Sequence, residues 1–213
     1  MHVAELWRYP VKSMGGERLE TAELLKDGIR GDRVVHVRSG RERIVTARSR
    51  PMLLGHRATT GPDGEPLVDG RPWKSAEVAR DVEAAAPGSR LVRSDEPGRF
   101  DILPLLVATD GAIAAFGRDG RRLRPNLVIG GVEGLAERTW EGRRLRIGDV
   151  VIALADLRAR CVMTTFDPDT QVQDVGVLLA IQREFDGRLA LNAAVEKSGI
   201  IRVGDPVVLD DWS

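Results

Sequence analysis

The 213-residue sequence has one cysteine, Cys161, and three histidines, His2, His36 and His56. A lone cysteine excludes an intrachain disulfide. With the histidines scattered, it also falls short of the donor set of a structural zinc site. Net charge is absent as well: 32 Lys and Arg balance 32 Asp and Glu. There is therefore no basic field for non-specific nucleic-acid binding. The longest apolar run lies near Ile102–Ala108, far short of the ~18 residues a membrane-spanning helix needs. The opening residues MHVAELWRYP lack the charged-then-apolar pattern of a secretory signal. Together with the single thiol, this sets the expectation of a reducing, cytoplasmic compartment. GxxxxGKS/T, GxGxxG, HExxH and GxSxG are all missing, which removes the familiar phosphate-loop, dinucleotide, metalloprotease and hydrolase signatures.

What the chain does contain is short β-prone runs between Gly, Pro and Asp. Strands are expected at Val3–Tyr9, Val34–Val37, Ile44–Thr46, Leu123–Ile129, Leu145–Ile147, Val150–Leu154 and Val207–Leu209. Three helices are expected. One follows a Ser75 cap over residues 76–86, one a Thr109 cap over 110–119, and one an Asp174 cap over 175–185. In the third, Val175, Leu178, Leu179 and Gln182 share a stripe. A Gly-Asp step before a β-branched run recurs at Gly31-Asp32, Gly148-Asp149 and Gly204-Asp205, and turn chemistry accounts for it. The segment Pro87–Arg99 reads as a seam between two halves.

Three clusters could carry chemistry. Cys161 follows Arg158 and Arg160 closely. Neighbouring cations favour the thiolate, the form that ligates metals; a small buried hydrophobe is the alternative reading. Lys12-Ser13 precedes Met14-Gly15-Gly16, where a point charge, a hydroxyl and unhindered amides could meet an anion; a polar turn is the alternative. In Arg121-Arg122-Leu123-Arg124-Pro125-Asn126, Pro125 is expected to hold Arg124 extended. Arg124 and Asn126 then offer phosphate-binding groups, while Arg121 and Arg122 read as solvated surface. Arg33 is either a further anion ligand or a partner to a neighbouring carboxylate. Asp167 and Asp169 read as turn residues, with proton delivery as the alternative.

The ordered set YPVKSMGGE, GIRGDR, VTAR, RPNLVI, WEGRRLRIGD, RCVMTTFDPDT and GIIRVGDPVVL resembles the MOSC family, the domains related to the C-terminal part of molybdenum-cofactor sulfurase. Within it the sequence is similar to the amidoxime-reducing branch. The resemblance implies an α+β, β-barrel-dominated fold with a few short helices. A β-rich N-terminal region would span residues 1–95 and a MOSC β-barrel residues 96–213. It also implies a molybdenum cofactor (Mo-molybdopterin), with Cys161 as the metal ligand. Lys12, Ser13, Arg33, Arg124, Asn126 and Arg160 would contact the pterin and its phosphate. A flat anion with a soft metal calls for cations and a thiolate. The implied activity is reduction of small N-hydroxylated or N-oxygenated compounds by two-electron oxygen removal, without pyridoxal phosphate. Electrons would come from a separate ferredoxin, flavodoxin or cytochrome-type protein, because an iron–sulfur cluster needs more cysteines than this chain has.

Four positions depart from the resemblance. Ile102 and Leu103 replace hydroxyl residues, Ala159 replaces a serine two residues before Cys161, and Gln171 replaces a glycine after DPDT. An apolar rim of this kind bears on which substrate enters. Other readings of the same residues are a non-catalytic cofactor carrier or maturation factor, a persulfide carrier through Cys161, and a cofactor-free interaction module.

Overall fold

Val3 and Leu6 are both fully buried although they lie three residues apart. A bulge between Val3 and Glu5 resets the alternation of the strand His2–Arg8 and turns both side chains inward. The computed structural model, which describes residues 1–94 and 99–210, places this strand in a mixed eight-stranded sheet. The strand order is Val208–Asp210, Arg144–Ile147, Val150–Ala159, Arg188–Lys197, Leu105–Thr109, Leu127–Gly130, His2–Arg8 and Glu17–Leu19. Smaller three-stranded sheets surround it. One of them pairs Gly199–Arg202 with Thr21–Leu25, tying the chain's end to its beginning. The architecture is β-dominated α+β. Backbone bonds also join Met1–Val3 to Gly204–Val207, but they meet at an isolated bridge, His2 to Pro206. The large sheet therefore curls without closing into the expected barrel.

The parallel pair Leu105–Thr109 and Leu127–Gly130 is connected by helix α1 (residues 110–116, Asp110–Phe116). Both strands are buried along their whole length, as strands covered on both faces are. The expected cap is in place: Thr109 Oγ1 accepts from the Ala112 N–H at 3.1 Å. The helix ends early, at Gly117 in the left-handed conformation. Ser75 caps the helix Ala76–Ala85 by accepting from Val78 N–H. The hairpin Val35–Ser39 with Ile44–Val45 forms as read.

Three expectations give way. The helix near the C-terminal part runs Gly176–Glu184 and buries Val177 and Ile181, while Val175 and Leu179 are exposed. The winning face is the one that meets Phe116, Leu123 and Leu189 in a shared cluster. Leu123 sits in the 3-10 turn Gly120–Leu123 rather than opening a strand, which starts at Leu127. Arg124 is left-handed (φ 56°), not extended, because its N–H closes that turn onto Arg121 O at 3.0 Å. Pro125 excludes the right-handed helix at Arg124 but leaves this alternative open. The Pro87–Arg99 seam and the 95/96 boundary fall in part on residues outside those described. No helix among the described residues is long and apolar enough to cross a membrane.

Candidate functional site

The strand Val150–Ala159 runs out beside Arg188, and the chain enters a 3-10 turn, Val162–Thr165, with Cys161 at its cap. The Cys161 carbonyl accepts from Thr164 N–H and Oγ1, at 3.0 and 2.8 Å. These bonds fix the residue while its half-buried thiol stays free and lines a cavity of about 100 Å³. The same cavity is lined by Lys12, Ser13, Arg33, Arg124, Asn126 and Arg160. All seven residues singled out in the sequence, spread from position 12 to position 161, thus meet in one place. Lys12 and Arg124 share its wall as converging cations from distant elements.

The segments that bring them together are unusual in their backbones. Ser13, Arg33 and Arg124 all have positive φ (73°, 54° and 56°), a conformation few non-glycine residues adopt and one that clusters at functional sites. Ser13 Oγ accepts from Ala47 N–H at 3.0 Å. Lys12 Nζ is buried and donates to Arg99 O at 2.8 Å while pairing with Asp101 at 2.8 Å. Arg33 pairs with the fully buried Asp32. Asp32 also accepts from Tyr9 N–H at 2.7 Å and Asn126 Nδ2 at 3.2 Å. The Asn126 amide is occupied by the protein: Oδ1 accepts from Leu106 N–H and Nδ2 donates to Trp7 O, each at 3.2 Å. It stitches the two sides of the cavity together.

Two cations are left short of partners. Arg124 lies over the Tyr9 ring at 4.3 Å, and its guanidinium donates no hydrogen bond to any described residue. Arg160 donates to Leu123 O at 2.7 Å, but its Nε is buried with no partner among the described residues. Burial brings both down to about 10, so both remain charged near neutrality. The same desolvation pushes the Tyr9 phenol up to about 12, against the pull of Arg124 and Arg33. Seven cations and one carboxylate, Asp101, line the cavity among the described residues. A buried orphan donor beside unpaired cations is costly unless an anion fills the space.

A soft sulfur, unspent donors and surplus positive charge fit a metal carried by an anionic organic ligand. No three His, Cys, Asp or Glu side chains converge as a metal site among the described residues. A metal on Cys161 would therefore take its other ligands from outside the chain. Residues 113–208 match the model of the MOSC domain and residues 1–93 that of the MOSC N-terminal beta barrel domain. The chain belongs to the MOSC family. This MOSC protein is 28% identical to a protein named mitochondrial amidoxime reducing component 2 from Macaca fascicularis, over 96% of this chain and 82% of that one. It is 26% identical to mitochondrial amidoxime-reducing component 1 from Homo sapiens, over 97% and 82%. The crystal structure of the YUAD protein from Bacillus subtilis shares the fold, with a TM-score of 0.56 at 14% identity over 100% of this chain and 96% of that one.

Sequence reading missed several groups that line the MOSC cavity or order it. Arg122 is not the solvated surface residue that its place in an arginine run predicts. Its side chain is 9% exposed, pairs with Asp167 at 2.9 Å and lines the Cys161 cavity. Asp32 was read as turn composition and is a buried hub, whereas its echoes at Gly148 and Gly204 are turns. Asp101 and Arg48 carry no signal in the sequence, whereas Arg158 is one of the two cations noted before Cys161; all three line the cavity. Asp167 behaves as the turn residue expected, accepting from Asp169 and Thr170 N–H, and Asp169 pairs with Arg121. Leu103 and Ala159 line the cavity, so these two departures place apolar groups in its wall, whereas Ile102 is exposed and is not part of that lining. Gln171 is left-handed (φ 56°), the conformation that favours glycine.

Proposed function

We propose that this MOSC protein binds the molybdenum cofactor with Cys161 as its thiolate ligand and reduces N-hydroxylated or related N-oxygenated compounds, with electrons from a separate donor protein. The observation that carries the reading is the half-buried Cys161 thiol in one cavity with Lys12, Arg33, Arg124 and Arg160, the last with an Nε that finds no partner among the described residues. When bound, the group would supply the two-electron reducing chemistry that cleavage of an N–O bond requires. The chain's own residues do the rest. Lys12, Arg33, Arg124 and Arg160 neutralise the anion, each from a different segment, so that it is fixed in orientation. Ser13 and Asn126 hold the backbone that presents those cations. Tyr9 stays protonated and supports the Arg124 guanidinium with its ring. A second cavity of about 230 Å³ adjoins the first through Arg122, Arg124 and Met163, which gives an extended cofactor room beyond the thiol. The names of the relatives support the choice of N-oxygenated substrates.

The test is metal analysis by mass spectrometry of protein made in a host that synthesises the cofactor. Wild type should carry molybdenum, and Cys161→Ala should lose it while keeping its circular-dichroism spectrum and melting temperature. A methyl group cannot replace a thiolate bond. Equal molybdenum in the two proteins would overturn the ligand assignment. Loaded protein supplied with an artificial donor should convert benzamidoxime to benzamidine. Reducible, loaded protein that leaves amidoximes, hydroxylamines and N-oxides untouched would favour a cofactor carrier instead.

A further inference from the structure

The cations of the cavity divide into two groups. Arg33, Arg124 and Arg160 lie toward Tyr9 and Leu123. Arg48 and Arg158 line the same cavity as Cys161 and are joined instead through Asp101. These two share a single carboxylate. Asp101 accepts from Arg48 at 2.7 Å and Arg158 at 3.4 Å, and it is already engaged by Lys12 at 2.8 Å. Burial works against the Asp101 charge, yet the three cations keep its carboxyl below the usual range, so it contributes one negative charge against three positive ones. Arg158 is only 18% exposed and braces one NH group on Asn192 Oδ1 at 3.1 Å. Arg48 is 46% exposed and reaches solvent. Phe100, Leu103 and Leu105 supply apolar wall to the same cavity.

Two guanidinium groups with one shared carboxylate, one of them largely desolvated, form an anion-recognition pair. Arg48 carries the pair to the solvent side of the cavity that holds the thiol, where a reacting molecule entering from solvent would meet it. We propose that Arg48 and Arg158 select anionic substrates: N-oxygenated compounds whose apolar body carries a carboxylate. The inference rests on the reductase reading for the reaction but not for the recognition, and the two fail separately.

The experiment uses cofactor-loaded protein and a matched pair, benzamidoxime and 4-carboxybenzamidoxime. Binding is measured without an electron donor, by ligand-observed NMR, and turnover with one. A charge-assisted contact should favour the carboxylate by about tenfold in both affinity and kcat/KM, and the preference should shrink as salt is raised. Arg48→Gln and Arg158→Met should each reduce the preference severalfold with molybdenum content unchanged. Equal affinity for the two amidoximes, or variants that lose molybdenum in step with the preference, would overturn the proposal; the second result would assign both arginines to the cofactor. Tighter carboxylate binding with no turnover of either compound would defeat the reductase reading and leave anion selection standing. Equal turnover of both would do the opposite.

Discussion

His36 is 1% exposed on the strand Val35–Ser39, with Lys12, Arg38 and Arg99 as charged neighbours. Its Nε2 lies 2.9 Å from Arg33 O. A carbonyl only accepts, so Nε2 carries the proton and Nδ1 is a bare acceptor that finds no partner among the described residues. Desolvation first, then the Lys12 charge, brings the imidazole from 6.5 down to about 4. The unfolded chain then binds a proton below pH 6.5 that the folded one refuses until about pH 4. Stability is complete above the unfolded value and is lost as pH falls through the window from about 6.5 to 4. The displacement corresponds to about 3 kcal/mol at its acid end. His36→Gln keeps an N–H for Arg33 O at a similar reach and does not titrate. Denaturant unfolding at pH 7 and pH 4 should show wild type losing about 3 kcal/mol more than the variant, since carboxylates common to both cancel in the difference. Parallel losses, or an imidazole titrating near 6.5 by NMR in the folded protein, would refute the reasoning. Acid should also loosen the site, because a charged His36 would face Lys12 across the strand that holds Arg33 in its left-handed turn.

Two further outcomes follow from the packing. Gly16→Ala would set a methyl group within 2.5 Å of Tyr9 Cδ1 and against Arg8 O, so Tyr9 must move off Arg124; stability should fall by about 1–3 kcal/mol and molybdenum content should drop with it. Asn126→Ala leaves Leu106 N–H and Trp7 O without the side-chain bonds they now make and should cost about 3 kcal/mol in urea unfolding; a change under 1 kcal/mol would mean that water replaces the amide.

Turns, caps and hairpins were legible in the chain because their energetics are local. Ser75 and Thr109 cap helices since a hydroxyl reaches an N–H three residues on, and Val37 pairs with Val45 because the loop between them is short. The seven residues of the candidate site were singled out by the resemblance of their motifs to the MOSC family; residue chemistry alone left a polar turn at Lys12-Ser13 and a buried hydrophobe at Cys161 as alternatives, and the fold brings all seven to one cavity. Decisions between equivalent faces were not local. The helix Gly176–Glu184 has apolar side chains on more than one side, and only the position of Phe116 and Leu123 determines that Val177 and Ile181 go inward. Arg122 looks like Arg121 in the sequence, yet Asp167 and the Thr164 carbonyl draw one of them into the cavity wall. Asp32 has the composition of a turn and becomes a buried hub because Tyr9 and Asn126 converge on it from two other segments while its neighbour Arg33 pairs with it. The charge surplus beside Cys161 has the same origin: the chain as a whole is neutral, and folding brings seven of its cations to one cavity whose described lining holds a single carboxylate, Asp101, because Coulomb interactions depend on distance in space and not on distance along the chain.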